Sequence, residues 1–182
     1  MTCSSTQMDA RVRRASAIAT AQSSIGTRSA FSGRPSFATA GAIWAVDKGS
    51  DMVIKFNPAG RVEMVFGRKP EASDEGAHPL EHPSPPLPAV DGYFRQVTDI
   101  AWDSKGNGYI SDGYVNSRVA KVSKDGRWLK SWGTFGSGPG QFNTLHSIQV
   151  DAADRVFVAD RGNRRIQVFD TEGKYLREFT ID

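Results

Sequence analysis

The sequence is poor in cysteine, in long apolar runs and in net charge. Cys3 is the single cysteine among 182 residues, which excludes an internal disulfide and any zinc site built from cysteines. No apolar run approaches the roughly 20 residues of a membrane-spanning helix. The formal net charge is only +3, and no basic stripe marks a surface for nucleic acid. Neither membrane-spanning nor nucleic-acid-binding proteins are indicated.

Residues 1–40 lack the periodicities of helices and strands. They are rich in Ser, Ala, Thr and Arg, and Asp9 is the one acidic residue of positions 1–36. The stretch ASAIATAQSS is too short and too polar for the apolar core of a secretory signal, although the composition also resembles an organellar transit peptide. We predict a disordered basic tail or a wrongly assigned start, and the compartment stays open.

Three copies of one unit organise the rest of the chain. The run HSIQVDAADRVFVADRGNRRIQVF, from His146, matches TDIAWDSKGNGYISDGYVNSRVAKV, from Thr98, at an offset of 146 − 98 = 48. A third copy, AIWAVDKGSDMVIKFNPAGRVEMVFG, covers residues 42–67. Each unit contains four short runs of strand-forming residues separated by polar turns, and the second run ends in aspartate. This pattern predicts the four-stranded blade of a β-propeller.

We therefore predict an all-β propeller with blades at residues 41–67, 93–133 and 141–182, preceded by the tail of residues 1–40. The segment of residues 68–92 contains most of the nine prolines and has the composition of a long loop between blades. Trp102, Trp128 and Trp132 are predicted to pack between blades, and GSGPGQF is predicted to connect two of them.

The number of units falls short of a closed ring, since propellers have about 4–8 blades. The first unit also lacks an innermost strand in our interpretation, because RPSFATA matches TDIAWD poorly. An unclosed stack exposes strand edges and apolar sheet faces. We expect either a piece of a larger propeller or a ring completed by two chains, so self-association through open blade edges is a predicted interaction.

Several polar residues have a structural interpretation. Asp47, Asp112 and Asp160 recur in all three units, so we predict that they accept backbone hydrogen bonds in the turn after each second strand. His78 and His82 are four residues apart in the proline-rich segment. Because the prolines oppose a helix, these histidines are predicted to be solvated loop residues instead of a metal-binding pair.

Strand direction places three other side chains together. In an antiparallel blade the start of the first strand and the end of the second lie at the same end of the sheet. His146 begins a first strand, whereas Arg161 and Tyr114 follow second strands. We predict that all three emerge on one face, with His146 nearest the axis. In the structural alternatives Tyr114 caps a blade edge, His146 only hydrogen-bonds within its strand, and Arg161 pairs with Asp112 or Asp160.

The motifs DGYVNSR, GPGQFNTLHSI and VADRGNRRIQVF resemble those of NHL-repeat propellers, and more specifically of the peptidyl-α-hydroxyglycine α-amidating lyases. The resemblance covers residues 41–182. It implies a six-bladed parent of which about three blades are present, with zinc held by three histidines, calcium nearby and a secreted or periplasmic location. In the resemblance His146 matches a zinc ligand, Tyr114 the catalytic tyrosine and Arg161 the arginine beside it.

The implied reaction cleaves a carbon–nitrogen bond and yields a peptide amide and glyoxylate. A tyrosine with a pKa of about 10 is a poor base unless a cation stabilises its phenolate. Arg161 would supply that cation or hold the carboxylate of the peptide-like substrate, and Tyr114 would act as general base.

The metal ligands depart from the family pattern. The spacing of His146 from Asp160 is 160 − 146 = 14 residues, and counting the same distance back from Asp47 reaches Gly33, with no histidine near it. One ligand does not make the three-ligand site of catalytic zinc. We therefore expect this chain alone to be inactive as a lyase. The alternative is a non-catalytic NHL propeller that binds protein, peptide or RNA on its open face.

Overall fold

A computed structural model describes residues 36–37, 41–68 and 89–181 of the chain. Most of the predicted tail, His78 and His82 lie outside these residues. The described part contains three four-stranded antiparallel sheets and one short parallel strand pair. It includes no helix long and apolar enough to cross a membrane.

The strands follow the order of the sequence within each sheet. The first sheet contains β1 (Ser36–Phe37), β2 (Ile43–Asp47), β3 (Met52–Phe56) and β4 (Val62–Gly67). The second contains β5 (Val97–Trp102), β6 (Gly108–Asp112), β7 (Arg118–Val122) and β8 (Trp128–Trp132). The connection to the next sheet holds the parallel pair β9 (Thr134–Phe135) and β10 (Gln141–Phe142). The third sheet contains β11 (Leu145–Val150), β12 (Val156–Asp160), β13 (Arg165–Phe169) and β14 (Tyr175–Thr180).

The first sheet corrects one prediction, because it does have an innermost strand. Ser36 pairs with Trp44 and Phe37 pairs with Ile43 in antiparallel register. Strand pairing uses backbone N–H and C=O groups that every residue except proline carries. A segment whose side chains match the repeat poorly can therefore still complete the sheet.

The first strand of the second sheet and the first strand of the third sheet each contain a β-bulge at the equivalent position. Val97 pairs with Asp112 and Asp99 with Ser111, so Thr98 is the extra residue between them. In the third sheet His146 is extra in the same way, between Leu145 and Ser147. A bulge re-aims the side chain of its extra residue. The predicted alignment of Thr98 with His146 is thus confirmed at the level of hydrogen-bond register.

Two apolar clusters hold neighbouring sheets together. The cluster between the first and second sheets includes Val46, Val53, Ile100 and Ile110, and Trp102 and Trp128 pack against it. The cluster between the second and third sheets includes Tyr109, Val119, Ile148 and Phe169. Trp132 packs against this second cluster, with its ring 6.0 Å from that of Phe169. The predicted interblade role of the three tryptophans is confirmed.

Asp112 and Asp160 anchor the segment that leads into each first strand. Both are fully buried at the end of a second strand. The Asp112 carboxylate accepts the Arg95 N–H at 2.9 Å, and the Asp160 carboxylate accepts the Asn143 N–H at 2.7 Å. The structural role of these aspartates is confirmed, but their backbone donors come from before the first strand. Of the three aspartates, Asp47 accepts a backbone N–H from the turn that follows it, as predicted, with Gly49 at 3.0 Å. Asp112 and Asp160 accept from that side the side-chain amides of Asn116 at 2.6 Å and Asn163 at 2.8 Å.

A buried arginine completes each of these two networks. Arg118 begins β7 opposite Asp112, and its Nε lies 3.2 Å from the carboxylate. Its Nη2 also donates to the carbonyls of Val90 at 2.9 Å and Tyr93 at 2.6 Å. Arg165 repeats the arrangement in the third sheet, with Nε 2.8 Å from its own aspartate. These charged pairs hold the ends of the second strands in place, and the functional side chains follow directly after those ends.

Candidate functional site

Tyr114 and His146 meet across the boundary between the second and third sheets. The Tyr114 hydroxyl lies 3.2 Å from His146 Nε2. The two rings stand edge to face, with centroids 5.9 Å apart. Tyr114 follows β6 and His146 belongs to β11, so the strand-direction argument correctly brought these two residues to one face. The arrangement forms a hydrogen-bonded couple of two groups that can both carry a proton.

Gly113 explains how Tyr114 comes so close to the neighbouring sheet. A Cβ atom at this position would lie 1.9 Å from the Leu145 carbonyl oxygen, far inside contact distance. The link after β6 therefore passes directly over the start of β11, and only glycine permits that approach. Tyr114 is the next residue, which places its ring beside His146.

Asp99 fixes the backbone immediately after His146. Its carboxylate accepts the Ser147 hydroxyl at 2.6 Å and the Ile148 N–H at 3.2 Å. Both bonds connect β5 to the residues that immediately follow His146. The histidine therefore projects from a backbone that is fixed by the preceding blade.

Two cations flank the couple, and one of them was missed by the sequence reasoning. The Lys48 Nζ lies 3.7 Å from the centroid of the Tyr114 ring. Arg161 begins a short 3₁₀ turn (Arg161–Asn163), and its N–H donates to the Thr144 carbonyl at 3.3 Å. A signal for Lys48 was present in the sequence, since the pairs Asp47-Lys48 and Asp160-Arg161 occupy the same position of their units.

The alternative interpretation of Arg161 as a structural bridge is wrong. Asp112 and Asp160 form their ion pairs with Arg118 and Arg165. These two arginines are the direct cross-strand partners of the aspartates. Arg161 instead leaves the end of β12 and has an exposed side chain. Among the described residues its guanidinium forms no ion pair, so its charge is available to a ligand.

Burial and positive charge keep His146 neutral. Partial burial lowers the pKa of His146, and the charges of Arg161 and Lys48 lower it further. Asp99 opposes them by raising the pKa. Because the folded state binds this proton less readily than the unfolded state, stability is full above the ordinary pKa near 6.5 and declines as the pH falls through the lowered value. The neutral imidazole is the form that can accept a proton at Nε2.

The described residues do not by themselves fit the zinc site implied by the resemblance. No group of three or more His, Cys, Asp or Glu side chains within this part of the chain could hold a metal ion. His146 is the one predicted ligand in it, and its Nε2 already faces the Tyr114 hydroxyl. Two nearby cations also oppose a further positive charge. We therefore derive no chemical step through zinc.

Comparison with known proteins supports the fold and reveals similar proteins. Residues 94–182 match the family described as a 6-bladed β-propeller. NHL repeat-containing protein 3 of Mus musculus is 37% identical over 142 residues, which is 74% of this chain and 37% of that protein. Peptidylglycine alpha-amidating monooxygenase of Rattus norvegicus is 34% identical over 149 residues, which is 77% of this chain and 14% of that protein.

A solved structure is similar to this chain in fold only. Virginiamycin B lyase of Staphylococcus aureus superposes with a TM-score of 0.55 at 16% identity, covering 86% of this chain and 43% of the other. The chain thus spans less than half the length of each of these three proteins. Its three repeated sheets and these matches show the fold of a β-propeller, and the chain is similar to NHL-repeat proteins and to the peptidylglycine α-amidating enzymes.

Proposed function

We propose that the face carrying Tyr114 and His146 is part of the active site of a carbon–nitrogen lyase that acts on peptidyl-α-hydroxyglycine-type substrates. The observation that carries this proposal is the hydrogen bond of 3.2 Å between the Tyr114 hydroxyl and His146 Nε2. This hydrogen bond joins the phenol, as the potential base, to the neutral imidazole, as the proton acceptor. The cations Lys48 and Arg161 lie nearby. The likeness to an amidating enzyme supports the choice of substrate.

The couple can move the proton that the reaction requires. In the tautomer of His146 with its proton on Nδ1, Nε2 accepts the phenolic proton of Tyr114. The Tyr114 oxygen then takes the proton from the substrate hydroxyl, and the electrons of that O–H bond form the new C=O bond. The electron pair of the breaking C–N bond goes to the amide nitrogen. This nitrogen takes the proton back from Tyr114, which recovers its own from His146, so that glyoxylate and a peptide amide are released.

In this proposal the guanidinium of Arg161 binds the carboxylate of the substrate. A guanidinium is always charged at neutral pH and matches a carboxylate with two parallel hydrogen bonds. Zinc and calcium remain predictions from the resemblance. His146 would serve as a zinc ligand only in place of its role in the proton relay, because Nε2 does not accept a proton and a metal ion together.

The test uses the purified protein in whatever assembly it adopts. It is incubated with N-benzoyl-α-hydroxyglycine, and benzamide and glyoxylate are quantified together, with and without added Zn²⁺ and with a chelator. We expect the two products in equal amounts, in excess of the spontaneous reaction, because the proposed relay uses Tyr114 and His146 without zinc. This outcome differs from the inactivity that the missing zinc ligands lead us to expect of the chain alone. The absence of products in every arm, together with the absence of binding, would overturn the proposal.

A second candidate is a propeller that binds a peptide on the same face without cleaving it. The single metal ligand among the described residues favours this candidate, since catalytic zinc has three protein ligands. The same experiment separates the two. Binding of N-benzoyl-α-hydroxyglycine without any product would support the non-catalytic module.

A further inference from the structure

We propose that Lys48 is a substrate-positioning and specificity residue of this site, whose ammonium group binds the carboxylate of the ligand held at Tyr114. The inference rests on the proposed function and extends it to the first blade. Lys48 lies outside the motifs that suggested the function, and its place in the site follows from the packing of the first sheet against the second.

The backbone around Lys48 is held by the aspartate that precedes it, as a turn of its own. Lys48 directly follows Asp47, the last residue of β2. The Asp47 carboxylate accepts the Gly49 N–H at 3.0 Å and the Ser50 hydroxyl at 2.6 Å, which closes the turn around the lysine. Because Lys48 and Arg161 each follow the last residue of a second strand, equivalent positions of the first and third blades carry a cation.

The ammonium group of Lys48 is close to the reacting position and has unused donors. Its Nζ lies 3.7 Å from the centre of the Tyr114 ring, on the face of the ring, while the hydroxyl points to His146. An ammonium group has three N–H donors, and a ring face does not satisfy all of them. Within the described ranges Lys48 forms no ion pair, so the charge is not neutralised by a protein carboxylate.

Lys48 and Arg161 both act on His146 from different blades. The positive charges of both residues act on its imidazole, and among the described carboxylates that of Asp99 acts in the opposite sense. The Asp99 carboxylate is already bonded to the Ser147 hydroxyl and the Ile148 N–H. The site thus holds two uncompensated cations around a tyrosine, which is the electrostatic requirement for a small carboxylate ligand.

The proposed substrate has the matching chemistry. In an α-hydroxyglycine unit the carboxylate and the hydroxyl are bonded to the same carbon atom. A carboxylate held between Lys48 and Arg161 therefore brings the hydroxyl towards Tyr114. An analogue with a neutral amide in place of the carboxylate lacks the group that the two cations bind. Lys48 then contributes to discrimination as well as to affinity.

A purely structural role for Lys48 predicts a different result. A lysine that only covers the Tyr114 ring supports the fold through a cation–π contact, and its loss would affect all ligands equally. A lysine that binds the carboxylate affects only ligands that carry this group. The dependence on ligand charge therefore distinguishes the two roles.

The test compares Lys48→Met, Lys48→Arg and the control Lys124→Met. Lys124 is exposed in the turn between β7 and β8, at the opposite end of the second sheet, so its substitution removes the same charge elsewhere. Two inert ligands are measured by calorimetry, N-benzoylglycine and its neutral amide, and KM and kcat are measured with N-benzoyl-α-hydroxyglycine.

We expect Lys48→Met to weaken N-benzoylglycine binding about tenfold, the effect of losing one hydrogen bond to a charged group. KM should rise by a similar factor with a smaller change in kcat, and binding of the neutral amide should stay unchanged. Lys48→Arg should restore most of the affinity, and Lys124→Met should resemble the wild type. Equal affinity of wild type and Lys48→Met for N-benzoylglycine would overturn the inference.

The outcome is separable from that of the proposed function. If no protein releases glyoxylate but N-benzoylglycine binding still depends on Lys48, the lyase proposal fails and the carboxylate site stands. If glyoxylate is released with the same KM by the wild type and by Lys48→Met, the lyase proposal stands and the role of Lys48 is refuted.

Discussion

Replacing Tyr114 by phenylalanine should lower kcat for glyoxylate release by at least about 100-fold, the smaller end of what a positioned general base contributes. The substitution removes one oxygen atom and keeps the ring that Lys48 covers. His146 Nε2 then has no phenol beside it, and the substrate hydroxyl has no base. Binding of N-benzoylglycine should change by less than about twofold, because the cations that hold its carboxylate remain.

Tyr175→Phe is the matched control for this substitution. Tyr175 lies in β14, the outermost strand of the third sheet, and its loss of a hydroxyl should leave kcat unchanged. A Tyr114→Phe protein with wild-type kcat would show that proton transfer uses another group. Equal losses of kcat and of N-benzoylglycine binding would instead indicate that the hydroxyl organises the site without taking the proton.

Replacing Arg118 by alanine should reduce the free energy of unfolding by about 3–5 kcal/mol, the cost of leaving one partner of a buried ion pair without the other. Asp112 is fully buried and would lose its counter-charge. The carbonyls of Val90 and Tyr93 would lose a donor at the same time. Urea denaturation followed by fluorescence measures the change.

Two further variants check that explanation. Arg127 is exposed in the turn that precedes β8, so Arg127→Ala should change stability by less than about 0.5 kcal/mol. Combining Arg118→Met with Asp112→Asn should recover part of the loss, since no unpaired charge remains in the core. A loss below about 1 kcal/mol for Arg118→Ala would mean that water reaches Asp112 and that the pair does not anchor the blade.

The architecture was largely predictable because it repeats. The second and third sheets repeat the same features 48 residues apart. The bulged residues are Thr98 and His146, with 146 − 98 = 48. The backbone donors to the buried aspartates are Arg95 and Asn143, with 143 − 95 = 48. Strand direction alone was sufficient to bring Tyr114 towards His146. Tryptophans at strand positions were correctly expected between blades, because few other places can bury so large a ring.

The remaining features depend on interactions that the repeat does not encode. The pairing of Ser36–Phe37 uses the backbone alone, so side-chain comparison did not detect it. The contact of Lys48 with Tyr114 depends on how the first sheet is placed against the second. The separation of Arg161 from the buried aspartates depends on register, since Arg165 is the residue that lies opposite Asp160. A single sequence does not specify those distances.

The titration of His146 tests most directly the claim that side chains from three blades converge on one site. NMR follows the ring protons of this histidine, assigned with His146→Gln, in the wild type, Lys48→Met and Arg161→Met. We predict a wild-type pKa below the ordinary value near 6.5 and an increase in each variant, because each removes one cation that opposes protonation. A wild-type pKa near 6.5 that neither substitution changes would contradict the account, since it would place Lys48 and Arg161 away from the histidine.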